Sequence, residues 1–345
     1  MTHPRRRKIL IVVNSGIHGR AFHSLIRQDC SDILVVTDAP IDYCRHATIP
    51  FGMRNPFRLL LAIRRLRAII ADYRPDVLHV HQANNYGYVA AVANRGRIPL
   101  VLTTWGSDVL VLPKRGFIHR AVACRSLREA DFITADASTV AEAVHGLVGR
   151  TDVAIANFGV DLATAEEARP RERVIYSNRL HHGLYNIDRI ITAAARFLSP
   201  RRDWSLTIAG NGPQTEALRT LAAATLPENQ CRFVGFVSPE VNRAHFFTSQ
   251  IYVSIPSSDG TSMSLLEAMA CGAVPVVSDL PANREWIRDG ENGIVVRDGN
   301  LEEALERSMT LDWDDVARRN AAIVSDRGSR EANRRVFLSI YDRCR

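Results

Sequence analysis

Residues 251–277 constrain this chain more tightly than any other stretch. Ile251-Tyr252-Val253-Ser254-Ile255 is a short apolar run that reads as a buried strand, and Val274-Pro275-Val276-Val277 reads as another. Between them lie a polar, glycine-containing loop from Ser257 to Ser262 and a helix-forming run closed by Gly272 in a C′ position. A loop that feeds a helix between two strands delivers unpaired backbone N–H groups at the helix N-terminus, a favourable place for phosphate. Asp259 in the loop and Glu267 in the helix put an acid on each side of that terminus. This constellation suits a sugar attached to a diphosphate, whose hydroxyls need acceptors and whose phosphates need donors.

The segment from Ser257 to Gly272 resembles the signature of the family 4 retaining glycosyltransferases, which have the GT-B fold. Their pattern is an acid, seven residues, then Glu, followed by Ala-Met-Ala-x-Gly, which here is Asp259, Glu267 and Ala268-Met269-Ala270-Cys271-Gly272. The resemblance implies that Asp259, one methylene shorter than the family's usual Glu, contacts the donor sugar, and that Glu267 holds the ribose hydroxyls. It further implies that the stretch Gly260, Thr261, Ser262, Met263 and Ser264 receives the distal phosphate and the sugar. A second reading of the same letters stays open: Ser264-x-x-Glu267 also fits a helix capping box, in which Glu267 would tie off a backbone N–H.

A length of 345 residues suggests two domains, and 46% apolar residues supply their cores. No apolar run is long enough to span a bilayer. After a basic terminus that ends at Lys8, Ile9–Val13 is too short for a signal-peptide core and reads as the first strand, so a cytoplasmic location is expected. Six scattered cysteines without a Cys-x-x-Cys pair indicate neither a zinc site nor a disulfide framework. The formal charge is +7, and its clearest element is the stretch 54–70. There Leu59, Ile63, Leu66 and Ile70 fall at helical spacing with arginines mostly elsewhere on the wheel. That pattern fits a surface helix packed on a sheet, or a basic face resting peripherally on anionic lipid at the inner face of a membrane. No nucleic-acid motif accompanies the arginines, so no nucleic-acid partner is expected.

Strand and helix signals alternate along both halves, which implies parallel sheets covered by helices. Periodicity weakens from Asn157 to Arg173, where Glu166, Glu167 and Pro170 mark a polar link. The expected fold class is α/β: two doubly wound, Rossmann-like domains facing a cleft, over 1–160 and 172–325. The segment Asp312–Arg343 reads as helical throughout. By resemblance to GT-B enzymes, its end, 326–345, crosses back to pack on the first domain.

Ligands bind outside the carboxyl ends of parallel strands, so candidate residues are sought just after strands. Arg179 follows the strand Val174–Ser177. The resemblance gives it the donor diphosphate, for which a forked, permanently charged guanidinium is apt. The family commonly adds a Lys five or six residues later; here those positions are Leu184 and Tyr185. A Tyr185 hydroxyl can donate to phosphate but brings no charge, and losing one ionic contact costs about 1.5–3 kcal/mol. Asn211 and Gly212 lie in the turn Ala209–Pro213, which matches a loop bordering the donor pocket, and Val237 lies where relatives hold the nucleotide base.

In the first half, Trp105 and Asp108 follow a strand. Many relatives have His where Trp105 stands, so no catalytic imidazole is assigned there. Asp108 is read as a sugar-hydroxyl acceptor or general base, or else as a helix N-cap. His79 and His81 share one strand face, with His81 at the strand end on the acceptor side or in a structural role. Gly16 and Gly19 loosely resemble a phosphate-side loop, but Gly-x-Gly-x-x-Gly is missing, which argues against a nicotinamide enzyme. Asp312-Trp313-Asp314 is read as helix capping, and neither metal nor other cofactor is expected.

The resemblance implies a retaining, metal-independent transfer of a sugar from a nucleotide-diphospho-sugar to a hydroxyl acceptor. Bacterial relatives with this layout commonly build surface polysaccharides on lipid carriers. Two alternatives stand beside it: a GT-B-like epimerase or phosphorylase, and a weakened, glycosyltransferase-like binding protein suggested by the missing lysine and by Trp105.

Overall fold

A computed structural model describes residues 7–52, 55–164, 167 and 169–344. The first six residues of the basic terminus, Arg54 at the head of the basic helix and Glu166 in the polar link lie outside them. The chain forms two compact units, residues 1–158 with 330–345, and residues 159–329.

The described residues of the first unit build a seven-stranded parallel sheet. Its spatial order is His46–Thr48, Cys30–Thr37, Arg7–Val12, Val77–His81, Leu100–Thr104, Phe132–Ala135 and Val153–Ile155. The order reverses beside Arg7–Val12, the position at which loops of a doubly wound sheet splay apart and leave room for ligands. Strands such as Val77–His81 and Leu100–Thr104 are buried along their whole length, as expected of a parallel sheet covered on both faces.

The second unit repeats the design with six parallel strands, in the order Cys231–Gly235, Ser205–Ala209, Glu172–Ser177, Ser249–Ser254, Val274–Ser278 and Ile294–Val296. Alternation along the strands divides its core. Ile175, Ile251 and Val253 pack with helix Ile187–Leu198 in one apolar cluster, while Tyr176 and Tyr252 pack with helix Met263–Ala270 in another.

The expected long terminal helix is broken. Helix Trp313–Ile323 runs into a π-turn over Val324–Gly328, and Ser329 is extended, with φ −73° and ψ 155°. The break is held by a parallel bridge between Ser329 and Val160, and by Trp286, whose ring would stand 3.2 Å from a Cβ on Gly328. The last helix, Arg330–Arg343, belongs to the first unit: Phe337 meets Phe22 edge-on at 4.9 Å, and Arg334 bonds Asp29 at 2.6 Å. Ser138 is the first residue of its helix, and the N-cap is Ala137. Asp312 does cap, with Oδ1 accepting from the amides of Asp314 and Asp315 at 3.1 Å each.

A buried polar chain fastens the last helix. The His79 ring lies between the Tyr341 hydroxyl (2.6 Å from Nδ1) and Thr103 Oγ1 (2.7 Å from Nε2), and Thr103 meets Thr134 at 2.7 Å. Burial drives the His79 pKa down to about 3, so the ring is neutral and each nitrogen has one partner. Tyr341→Phe leaves one of them unpaired and is expected to lower the unfolding free energy by about 1–3 kcal/mol. Urea denaturation measures this; an unchanged midpoint would show that the chain carries no stability.

Candidate functional site

The second unit gathers its candidate residues at the carboxyl ends of its strands. Arg179 leaves the strand Glu172–Ser177 and reaches the loop after Ser249–Ser254. Its Nη1 donates to Ser262 Oγ at 2.7 Å and its Nη2 to Asp259 Oδ2 at 2.6 Å, with both side chains of the ion pair mostly covered. Burial works against the Arg179 charge, but Asp259, together with Tyr252 and Tyr185, more than offsets it and raises the pKa. The guanidinium carbon stands 4.5 Å from the centre of the Tyr185 ring. Tyr185, expected as a hydroxyl donor to phosphate, thus presents its ring to the cation.

Two glycines let the neighbouring loops close around Arg179. Gly210 has φ +105°, and a Cβ there would lie 2.5 Å from the Arg179 carbonyl oxygen. A Cβ on Gly212 would lie 2.5 Å from the His181 carbonyl oxygen. With nothing in the way, His181 N donates to Asn211 O (3.2 Å), Gln214 N to His181 O (3.1 Å), and Gly210 N to Gly235 O (2.7 Å). Asn211, Gly212 and the Gly235–Val237 turn are therefore laced into one rim with Arg179. Val237 packs on the apolar cluster, while Phe236 is 76% exposed.

Ser262 is the N-cap of helix Met263–Ala270 and accepts from Leu265 N at 3.4 Å. The backbone N–H groups of Met263 and Ser264, at the first two helical positions, find no acceptor among the described residues. The cap position decides the reading of Glu267. It is five residues past Ser262, not three past a cap, and its Oε2 accepts from Asn242 Nδ2 at 3.3 Å rather than from a backbone amide. The capping-box reading is thereby set aside. Burial pushes the Glu267 carboxyl up to about 7, although Arg243 and the Asn242 hydrogen bond pull it down; Asp161 adds to the rise.

Four residues of this network escaped the sequence reading. Tyr176 donates to Asn242 Oδ1 (2.7 Å), Asn178 Nδ2 donates to the same oxygen (3.0 Å) and to Ser264 Oγ (3.2 Å), and Tyr252 donates to Asn178 Oδ1 (3.1 Å). Asn178 and Asn242 thus tie Glu267 to the strand that carries Arg179. Asn178 carried a signal, since it sits next to Arg179 just past a strand. Asn242 lies inside the amphipathic helix Pro239–Thr248 and carried none. Thr261 Oγ1 accepts from the Trp286 indole at 3.3 Å, which pins the loop near Gly260.

The first unit brings its own candidates together. Asp108 is wholly buried, with Oδ2 accepting from Ala83 N (2.6 Å) and Oδ1 from Trp105 N (3.0 Å). This corrects both readings of Asp108. A carboxylate with no exposed surface offers no oxygen to an incoming hydroxyl, and the N-cap of its turn is Gly106. Asp108 braces two post-strand loops. The Trp105 indole donates to His81 Nδ1 at 3.2 Å, and the His81 ring stacks on His79 at 4.8 Å. Burial, helped by His79 and His18, holds His81 neutral at ordinary pH, so Nε2 carries its hydrogen. Gly16 is the N-cap of helix Ile17–Ile26, whose His18 ring lies 4.5 Å from that of Trp105. Close packing demands the other glycine: a Cβ on Gly19 would lie 2.7 Å from the Tyr43 hydroxyl.

Residues 163–323 match the family model for Glycosyl transferases group 1, and residues 26–137 match that for Glycosyl transferase 4-like. The putative glycosyltransferase EpsD of Bacillus subtilis is 26% identical over 281 residues, which cover 72% of this chain and 70% of that protein. The GDP-mannose:cellobiosyl-diphosphopolyprenol alpha-mannosyltransferase of Xanthomonas oryzae is 25% identical over 281 residues, 75% of this chain and 70% of that one. Among solved structures, Anabaena Alr3699/HepE in complex with UDP and glucose superposes with a TM-score of 0.78 at 16% identity, covering 97% of this chain and 99% of that one. This last likeness establishes the fold: both units have the GT-B design.

The site chemistry sets a pH dependence. If Glu267 accepts hydroxyl hydrogens from the bound nucleotide as a carboxylate, binding expels the proton it holds below about pH 7. Affinity for a nucleotide-diphospho-sugar should then rise with pH up to about 7, by roughly tenfold per unit at the acid side, and level off above. Calorimetric titration of the wild type and Glu267→Gln checks it. The variant should bind more weakly, show a flat profile and keep its melting temperature; a large fall in melting temperature would mean that Glu267 is structural.

Proposed function

This chain belongs to the group 1 glycosyl transferases, and from that premise we propose how its site carries out the transfer from a sugar-nucleotide donor. Arg179, with the amides of Met263 and Ser264, takes the diphosphate. Asp259 orients the sugar, and Glu267 accepts from the ribose hydroxyls. The observation that carries this reading is the convergence on one helix N-terminus of a buried guanidinium, 2.6 Å from Asp259, and a buried carboxyl on the same helix.

In the ligand-free site Asp259 neutralises Arg179. An arriving diphosphate competes for the same Nη2, which frees the Asp259 carboxylate to accept a sugar hydroxyl. Charge that builds on the leaving phosphate is met by donors already in place, the form of stabilisation that costs no reorganisation at the moment of reaction. The acceptor hydroxyl attacks on the face the leaving group vacates, and its proton passes to the departing phosphate oxygen, so the configuration is retained and no metal is required. No protein base is needed on this route, in keeping with the burial of Asp108.

The acceptor class proposed is a saccharide on a lipid carrier or a growing polysaccharide. It is supported by the X. oryzae relative, whose name gives a diphosphopolyprenol acceptor. Such an acceptor would place the protein at the cytoplasmic face of a membrane. A second reading is favoured by one observation: Leu184 and Tyr185 stand where the family's lysine would add a charge, and Arg179 is already paired. On this reading the protein binds donor and turns it over poorly. Donor binding by calorimetry, with no nucleotide released against any acceptor pool, would select it.

Arg179→Ala is expected to weaken donor affinity by tens-fold or more, through loss of charge-assisted bonds worth about 1.5–3 kcal/mol each. Circular dichroism should be unchanged. Unaltered donor affinity would remove Arg179 from the site. Turnover unaffected by EDTA, with an axial or equatorial product linkage matching the donor's by NMR, is expected; inversion or metal dependence would overturn the proposed chemistry.

A further inference from the structure

Among the described residues, six of the twelve exposed large hydrophobic side chains belong to two short segments of the first unit. Helix Pro56–Tyr73 buries Ala62, Ile63, Leu66 and Ile70 but leaves Phe57 81%, Leu60 46% and Leu61 42% exposed. At the head of helix Phe117–Glu129, Phe117 is 84% and Ile118 69% exposed, and Val111 in the turn before it is 37% exposed. Nothing in the transfer reaction uses these side chains.

Helix Asn85–Asn94 packs between the two. Each of the three connects strands of one parallel sheet, so they run in the same direction. Their register is fixed by two contacts: Arg67 Nη2 donates to Val92 O at 3.3 Å, and a Cβ on Gly87 would lie 2.9 Å from that of Ser126. Counting back at 1.5 Å per residue, Phe57 reaches about 5 Å and Phe117 about 10 Å beyond Asn85, at the same end of the layer. The two apolar tips are separated by the width of the middle helix. They form two prongs, not one continuous patch.

The charge around both prongs has one sign. Residues 55–71 and 109–128 contain no Asp or Glu. Arg58, Arg64, Arg65, Lys114, Arg115 and Arg120 are exposed and make no ion pair among the described residues. Elsewhere on the first unit exposed arginines find acids, as Arg20 does with Asp42 and Arg45 with Asp32. Unneutralised cations beside projecting aromatic and aliphatic groups are complementary to an interface that is anionic outside and apolar just beneath. A plane meets both prongs at once, whereas a folded partner would need two matched pockets.

We propose that the end of this helix layer is a two-pronged dock for an anionic lipid bilayer, with Phe57 and Leu60–Leu61 entering at one point and Phe117–Ile118 at the other. The basic helix alone suggested a face lying on lipid; the second helix end is what turns it into an oriented contact. The dock rests on the lipid-side placement proposed above only for its biological sense, not for its geometry.

Co-sedimentation with vesicles of phosphatidylcholine alone, and of phosphatidylcholine mixed with phosphatidylglycerol, tests it. The full chain should pellet with the anionic vesicles only, and less so as salt rises. Phe117→Ser combined with Ile118→Ser should weaken that binding by about tenfold or more, and Phe57→Ser should weaken it separately. Donor affinity and melting temperature should not move in either variant, since these side chains are exposed and outside the donor site. Equal pelleting by both vesicle types, no pelleting at all, or binding indifferent to the Phe117–Ile118 change would overturn the dock. So would a concentration-dependent increase in mass without vesicle binding, which would assign the prongs to self-association.

Discussion

The candidate site depends on a guanidinium held in a largely covered position at the carboxyl edge of a parallel sheet. Leaving such a charge unpaired would be strongly destabilising, so the fold supplies Asp259 as its counter-ion and Ser262 as a second acceptor. Both belong to the loop that opens helix Met263–Ala270. One interaction thus joins two neighbouring strands, fixes the loop and aims a cation at a helix N-terminus. It also leaves the ion pair open to competition, because a phosphate offers Arg179 the same kind of oxygen that Asp259 does.

The rest of the second unit serves that arrangement. Gly210 and Gly212 allow the Ala209–Pro213 turn to lie directly on the backbone of Arg179 and His181, where any side chain would push it off. The Tyr176–Asn242–Glu267 and Tyr252–Asn178–Ser264 bonds tie Glu267 and the start of its helix to the same strands. Burial keeps Glu267 in a setting that favours its neutral form, against the pull of Arg243 and the Asn242 hydrogen bond. Tyr185 covers one face of the guanidinium, 4.5 Å from its carbon, so Arg179 is bordered by an aromatic ring as well as by its counter-ion.

Much of this was legible in the sequence because its physics is local. The run from Ile251 to Val277 announced strand, loop, helix and strand by apolar periodicity and by Gly272, which indeed adopts φ +80° at the helix end. The parallel sheets followed from alternating signals, since buried strands are continuous apolar runs. What escaped was non-local. The edge strands His46–Thr48 and Ile294–Val296 are three residues each, too short for periodicity. The break at Ser329 is imposed by Val160 and Trp286, remote in sequence. Asn242 is an ordinary polar helix residue until Glu267 is placed beside it. Asp108 looked reactive after a strand, and only the fold shows both its oxygens bound to amides.

A crystal soaked with uridine or guanosine diphosphate is the decisive experiment. Phosphate oxygens should lie within hydrogen-bonding distance of Arg179 and of the Met263 and Ser264 amides, with the ribose hydroxyls on Glu267 and the Arg179–Asp259 pair opened. A nucleotide bound elsewhere, or a soaked crystal in which that pair stays closed and the helix N-terminus carries no phosphate, would contradict this placement.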